Sequence, residues 1–220
     1  MNKFKLTLII CLFLSIIYMS KVYALVLNYN LLGKTIYLDP GHGGRDSGAT
    51  YKNIYEKDIN LIMSKKIEKY LVAKGATVYL TRNTDIDLST TNTNKKRSDL
   101  SNRAKLINES NADIYISIHL NYIENSKWKG LQIFYNNKNE ENKIIADSIT
   151  SYLKENSSNI RESKKENIYY MYKQINIPGV LIELGFLSNP NDRYRLTNEE
   201  YQDKLAISIS NSIENYFINK

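Results

Sequence analysis

This 220-residue chain is poor in cysteine and histidine, two residue types that commonly bind metals in proteins. Its single cysteine, Cys11, lies in an apolar N-terminal stretch, which excludes an intrachain disulfide framework and a cysteine-based metal site. Its two histidines are His42 and His119. A metal site that uses both would therefore need a carboxylate to complete three protein ligands.

A dense stripe of positive charge is also missing, although the formal net charge is +7. Residues 1–24 hold three lysines and no acid, which leaves 27 basic and 23 acidic residues, a net charge of +4, in the rest of the chain. The basic run Lys95-Lys96-Arg97 is short and is interpreted as a solvated loop. Nucleic acid is therefore not expected as a partner. The mild positive charge suits a polyanionic matrix such as a cell wall.

The N-terminal segment has the parts of an export signal over residues 1–24. Lys3 and Lys5 precede an apolar run from Leu6 to Met19, and small residues precede a cleavage point after Ala24. This run of 14 residues is shorter than the roughly 20 that a membrane span needs. An uncleaved anchor is the alternative, and it would be the chain's only membrane contact. We expect residues 25–220 to work outside the cytoplasm.

Strand-like and helix-like segments alternate along the remaining chain. The predicted strands are 34–39, 77–80, 113–118, 131–135, an edge strand at 167–172, and 180–185. The predicted helices are 56–74, 97–108, 140–153 and a last helix capped by Thr197 with Glu200. This order predicts a single α/β domain with a twisted, mostly parallel or mixed sheet of about six strands and helices on both faces.

Both histidines follow predicted strands, where ligands bind in open α/β sheets. His42 lies on the glycine-rich turn after the first strand, and His119 ends the strand-like run from Ile114. Two unrelated structural histidines are the alternative interpretation. Glu56, which opens the next helix, is a candidate third metal ligand, although a carboxylate there also complements the helix dipole.

Glu183 lies in the apolar run Val180–Phe186, where burial of an unpaired carboxylate costs several kcal/mol. It therefore needs a partner from elsewhere in the chain. A metal-bound water is one candidate, and a structural salt bridge with Arg82 or Arg103 is the alternative.

Together these segments resemble the zinc-dependent N-acetylmuramoyl-L-alanine amidases of the amidase-3 family, over about residues 34 to 217. The resemblance rests on five motifs in the family's order: Asp39-Pro40-Gly41-His42-Gly43-Gly44, Glu56-Lys57-Asp58, Leu80-Thr81-Arg82, Ser117-Ile118-His119-Leu120-Asn121 and Glu183-Leu184-Gly185-Phe186-Leu187-Ser188-Asn189. The small size and the absence of wall-binding repeats are most similar to the germination-specific, CwlD-type subgroup, which acts on spore-cortex peptidoglycan.

The resemblance implies a role for each matched residue. His42, Glu56 and His119 would bind one zinc ion per chain, and Glu183 would be the catalytic acid/base. The implied reaction is hydrolysis of the amide between N-acetylmuramic acid and L-alanine, in the cortex as a step towards muramic δ-lactam. An activating partner protein and the oligomeric state are left open.

Two other functions are weaker alternatives. An inactive glycan-binding relative is disfavoured because all four site residues are present. A phosphate-binding enzyme would use the glycine-rich turn, but this turn lacks the Lys-Ser/Thr ending of a phosphate loop. In some family members an inserted helix covers the zinc. Loops 121–129 and 136–139 are too short for such a helix, so we expect an open groove.

Overall fold

The computed structural model describes residues 3–26 and 29–220. The strands in this part of the chain are β1 (Thr35–Pro40), β2 (Thr50–Tyr51), β3 (Ile54–Tyr55), β4 (Thr77–Leu80), β5 (Ile114–Asn121), β6 (Gln132–Tyr135), β7 (Lys164–Lys165) and β8 (Gly179–Phe186). The helices are α1 (Lys3–Val26), α2 (Glu56–Ala73), α3 (Lys95–Glu109), α4 (Glu140–Asn156), α5 (Tyr170–Gln174), α6 (Pro190–Leu196) and α7 (Glu199–Ile218).

Six strands form one sheet in the order β4-β1-β5-β8-β6-β7, and β2 pairs with β3 in a separate small hairpin. β4, β1, β5 and β8 run parallel, whereas β6 is antiparallel to β8. The carboxyl ends of four neighbouring strands therefore meet at one edge of a mixed, mostly parallel sheet. This confirms the α/β fold predicted from the sequence.

Alternation along β5 shows how the sheet divides its two faces. Ile114, Ile116 and Ile118 belong to the main hydrophobic core, which also contains the apolar faces of α2, α4 and α7. Tyr115 belongs to a smaller core on the opposite face, together with residues of α3 and α5. Since successive side chains of a strand point to opposite faces, His119 lies on the face of the smaller core, near the carboxyl edge.

The tyrosine-rich segment 167–172 does not form the edge strand that the sequence predicted. The edge strand is Lys164–Lys165, which pairs with β6. Tyr170–Gln174 is instead a short helix, and it buries Met171 and Tyr172 in the smaller core. Packing against the sheet has overridden the strand preference of tyrosine.

Two helix starts also differ from the prediction. The cap of α7 is Asn198, whose side chain accepts a hydrogen bond from the Tyr201 N–H, because Thr197 already ends α6. The helix α3 begins at Lys95, so the basic run Lys95-Lys96-Arg97 is a first helical turn and not a loop. Its Lys96 and Arg97 side chains are nevertheless exposed to solvent.

The segment predicted as an export signal is helical as α1. The first two residues of that segment lie outside the described residues. Within residues 3–26 and 29–220, no helix combines the length and apolar character needed to cross a membrane.

Candidate metal centre and active site

His42 lies on the turn that follows β1, in a left-handed backbone conformation with φ of 59°. This conformation is uncommon for a residue with a side chain and must be held by its surroundings. The preceding Gly41 packs directly under the His119 imidazole, where an added Cβ would lie 2.2 Å from the ring. A glycine at this position therefore allows the two histidines to approach each other.

Two buried arginines hold the carbonyl groups of this turn. Arg103 donates to the Pro40 carbonyl at 2.7 Å and to the His42 carbonyl at 2.5 Å. Arg82 donates to the carbonyls of Pro40 and Gly41, both at 3.0 Å. The unusual backbone of the His42 turn is thus fixed by hydrogen bonds from charged donors, which are stronger than neutral ones.

Arg103 is itself neutralised by two carboxylates below the turn. Its Nη1 lies 2.8 Å from Asp39 Oδ1, and its Nε lies 2.7 Å from Asp99 Oδ2. The arginine is only 1% exposed. Since buried charges need both pairing and hydrogen bonds, this triad gives α3 a direct role in shaping the site.

The structure brings together His42, Glu56 and His119, which sequence reasoning selected as candidate metal ligands. One potential ligand atom from each side chain lies within 4.8 Å of the other two. Glu56 Oε1 is 3.2 Å from His42 Nε2 and 3.0 Å from His119 Nδ1. Two imidazoles and a carboxylate in such an arrangement are the donor set of a hydrolytic zinc site.

The charges of this cluster are set by mutual contacts. Burial opposes a charge on His42, but hydrogen bonds to Asp46 and Glu56 outweigh it and raise the pKa of His42 to about 9. Burial also disfavours an ionised Glu56, yet hydrogen bonds to His119 and His42 hold its pKa well below the usual range. The cluster thus offers an ionised carboxylate beside two imidazoles, the charge state in which Glu56 can bind a cation.

Sequence reasoning missed Asp46 as a supporting residue. Its Oδ2 lies 2.9 Å from His42 Nδ1, the ring nitrogen that faces away from Glu56. A carboxylate on the outer nitrogen orients a metal-binding histidine and raises its basicity. The signal was its position four residues after His42, within the same glycine-rich turn.

Strand register places Glu183 beside the candidate metal ligands. It pairs with His119 on β5, and both side chains lie on the same face of the sheet. It is only 6% exposed, and its Oε2 has no hydrogen-bond partner within the part of the chain that the structure describes. Burial, and then the charge of Glu56, raises the pKa of Glu183 to about 8.

The salt bridge considered as an alternative for Glu183 is absent from the described residues. Arg103 pairs with Asp39 and Asp99, and Arg82 donates to backbone carbonyls. The structure therefore gives no support to the salt-bridge alternative for Glu183. The orphaned oxygen is an observation in favour of a chemical role.

A cavity of about 330 Å³ opens onto these side chains. Its lining includes His42, His119 and Glu183, together with Tyr169 and the α5 residues Tyr170–Tyr172. Residues 122–131, all of which the structure describes, contain no helix. The short helix α5 that contributes to this lining comes instead from the segment predicted as an edge strand.

A mixed sheet covered on both faces, with this cluster and an unpaired carboxyl at its carboxyl edge, is the arrangement of a metal-dependent hydrolase. Residues 36–215 match the amidase-3 family of N-acetylmuramoyl-L-alanine amidases, and the chain belongs to that family. This confirms the resemblance that the five motifs indicated.

Individual relatives agree with this assignment. The chain is 45% identical over 195 residues to the germination-specific N-acetylmuramoyl-L-alanine amidase of Bacillus subtilis, with 86% of this chain and 82% of that protein covered. The CwlD amidase of Clostridioides difficile, solved in complex with the GerS lipoprotein, is 41% identical with a TM-score of 0.80, covering 86% of this chain and 100% of that one. An N-acetylmuramoyl-L-alanine amidase from Clostridium difficile 630 is 35% identical with a TM-score of 0.74, covering 85% and 98%.

Proposed function

We propose that this protein hydrolyses the amide bond between N-acetylmuramic acid and L-alanine in peptidoglycan, in the spore cortex as a step towards muramic δ-lactam. Family membership supports the amidase reaction. The likeness to a germination-specific amidase supports the cortex as the place of action. The observation that carries the chemistry is the unpaired, buried Glu183 beside the His-Glu-His cluster.

His42, Glu56 and His119 are proposed to hold one zinc ion per chain. The donor set fits this ion, and Asp46 supports His42 from its outer nitrogen. When bound, zinc supplies a Lewis acid for the amide carbonyl and lowers the pKa of a water molecule.

Glu183 is proposed to move the proton during hydrolysis. Its Oε2 takes a proton from the attacking water and then delivers it to the leaving nitrogen of L-alanine. A general acid–base group works best with a pKa near the working pH. Burial raises the pKa of Glu183 to about 8 without metal, and a bound cation would lower it from there and favour the ionised form that accepts the water's proton. Its position in register with His119 supports this role, because it lies beside a proposed metal ligand.

The place of action and the partners follow from the same proposal. Residues 1–24 are proposed as an export signal and residues 25–220 as the catalytic domain, which would act on the outer side of the membrane. The CwlD amidase was solved with a lipoprotein. As part of the proposal, a partner protein binds this chain as well and increases an activity that the zinc-loaded chain has by itself.

The phosphate-binding alternative loses support at the glycine-rich turn. The Gly43 N–H donates to the Asp46 carbonyl at 2.9 Å, and the Gly44 N–H donates to Asp85 Oδ1 at 2.8 Å. A phosphate loop needs such N–H groups for its ligand. This turn uses them to hold His42.

Mass spectrometry of digested peptidoglycan tests the proposal. Purified cortex incubated with the zinc-loaded protein should release peptides that begin with L-alanine and leave peptide-free glycan. The metal-free protein serves as the control and should release neither product. Intact amide bonds in both digests would contradict the proposed function.

A further inference from the structure

A row of polar side chains continues across the sheet beyond the catalytic region. Glu183 on β8 is in register with His119 on one side and Gln132 on the other, so the three share one face of the sheet. Arg161 lies beyond Gln132 on the far side of β6, and its backbone N–H donates to the Leu131 carbonyl at 2.8 Å. The backbone of Arg161 therefore lies about two strand spacings, roughly 10 Å, from that of Glu183.

Arg161 is held in place by neutral groups. Its Nε donates to Gln132 Oε1 at 3.0 Å, and the Gln132 Nε2 donates to the Glu162 carbonyl at 3.0 Å. The guanidinium carbon lies 4.7 Å from the ring centre of Trp128 and 5.7 Å from that of Phe186. These contacts fix the orientation of the guanidinium without neutralising its charge.

The positive charge of Arg161 has no carboxylate partner among the described residues. The adjacent Glu162 carboxylate is bound by Lys154 instead. Lys127 and Lys129 flank Trp128 in the sequence, and both strand residues of β7 are exposed lysines. The buried Asp192 also lies here and accepts hydrogen bonds from the Gly130 and Phe186 N–H groups, but the basic residues outnumber the acidic ones, a balance that suits an anionic group.

We propose that Arg161 binds a carboxylate of the stem peptide, on the acidic residue that follows L-alanine, and so selects substrates in which that carboxylate is free. The inference rests on the proposed amidase function, which puts the scissile nitrogen beside Glu183. An extended peptide advances about 3.3–3.6 Å per residue, so a free carboxylate on the α-carbon of the residue after L-alanine lies roughly 7 Å from the scissile nitrogen, and the long arginine side chain spans the remaining distance. The arginine fork meets a carboxylate with two parallel hydrogen bonds.

A kinetic test uses the zinc-loaded protein and two muramoyl peptides that differ only in this group, a free carboxylate or its carboxamide. The wild type should cleave the free acid with a kcat/KM about 10- to 100-fold higher, as expected for charge-assisted hydrogen bonds. Arg161→Gln should have a kcat/KM on the free acid that is lower by this factor and an unchanged kcat/KM on the carboxamide. Arg161→Lys should recover part of the preference for the acid.

The matched control removes a charge on the other face of the sheet. The Lys204 side chain on α7 is 72% exposed, and Lys204→Met should change neither rate. An Arg161→Gln enzyme that keeps the wild-type preference for the acid overturns the proposal. The proposal is also overturned if the wild type has the same kcat/KM on the free acid and on the carboxamide.

A binding test separates failure of this subsite from failure of the proposed function. Trp128 is the only tryptophan in the chain, so its fluorescence reports events beside Arg161. Titration with the free stem peptide should change the emission, and the carboxamide peptide or Arg161→Gln should weaken the apparent affinity about 10- to 100-fold. If peptide binding depends on Arg161 but the zinc-loaded protein cleaves no muramoyl peptide, the subsite is supported and the amidase proposal is refuted. Equal affinity of wild type and Arg161→Gln refutes the subsite whatever the activity.

Discussion

Replacing Glu183 with glutamine separates catalysis from metal binding. The carboxyl group is almost fully buried, and its pKa is raised from 4.5 to about 8. Glutamine keeps the size and polarity of the side chain but cannot carry a proton between water and the leaving amine. We expect turnover to fall by about 10²–10⁴-fold. Zinc content should stay near the wild-type value, because Glu183 lies outside the His-Glu-His cluster.

The stability effect of the same substitution has a definite sign in metal-free protein. A carboxyl whose pKa rises on folding contributes stability that is complete below pH 4.5 and is lost as the pH rises through about 8. One pKa unit corresponds to about 1.36 kcal/mol. The wild type should therefore lose about 3 kcal/mol relative to Glu183→Gln by pH 7, and up to about 5 kcal/mol by pH 8. Metal must be absent, since a bound cation would lower this pKa.

Urea unfolding of both metal-free proteins from pH 5 to pH 8 measures this difference, because the other titrating groups are common to both. If the difference in unfolding free energy between the two proteins grows with pH, Glu183 is protonated in the folded protein. If the unfolding free energies of the two proteins change with pH in parallel, the carboxyl of Glu183 is already ionised at pH 5 and the argument from burial is wrong. Turnover near the wild-type value would refute the catalytic role independently of stability.

Three further predictions concern the metal centre and its support. His42→Ala or His119→Ala should abolish metal binding and activity together, and stoichiometric zinc in either variant, measured by elemental analysis, would show that the ligand assignment is wrong. Chelator should remove the metal from the native protein while circular dichroism stays unchanged, because we expect an open groove; a need for denaturant would contradict that groove. Arg103→Met should cost about 3–5 kcal/mol of unfolding free energy, because Asp39 and Asp99 lose their buried partner, and a melting temperature equal to that of the wild type would exclude this cost.

Much of the site could be predicted because its residues stand at the ends of strongly patterned elements. His42 and His119 follow apolar runs that read as strands, and Glu183 is a lone acid in an apolar strand. Parallel strands bring their carboxyl ends to one edge, which is sufficient to place these side chains near each other. Glu56 could be selected because it opens the helix that follows the His42 turn.

The remaining features depend on contacts that local sequence does not encode. The helix Tyr170–Gln174 forms because Met171 and Tyr172 pack under the sheet, although its tyrosines favour a strand. The row from Glu183 to Arg161 exists only because β6 lies antiparallel beside β8 and puts Gln132 opposite Glu183. Strand order and register are long-range properties, so a reading of each segment alone misses them.

The contrast between Glu56 and Glu183 explains how two buried glutamates can have different roles. Glu56 accepts N–H groups from Ala49 at 2.8 Å and Leu120 at 3.0 Å, in addition to its two imidazole contacts. These donors stabilise the ionised form, which is the form that a metal requires of its ligand. The Oε2 of Glu183 has no such donor among the described residues. Burial raises the pKa of Glu183, and the charge of Glu56 raises it further. The distribution of hydrogen-bond donors therefore suits Glu56 to the proposed metal-ligand role and Glu183 to the proposed proton-carrier role, and adding a donor beside Glu183 should impair catalysis even with His42, Glu56 and His119 unchanged.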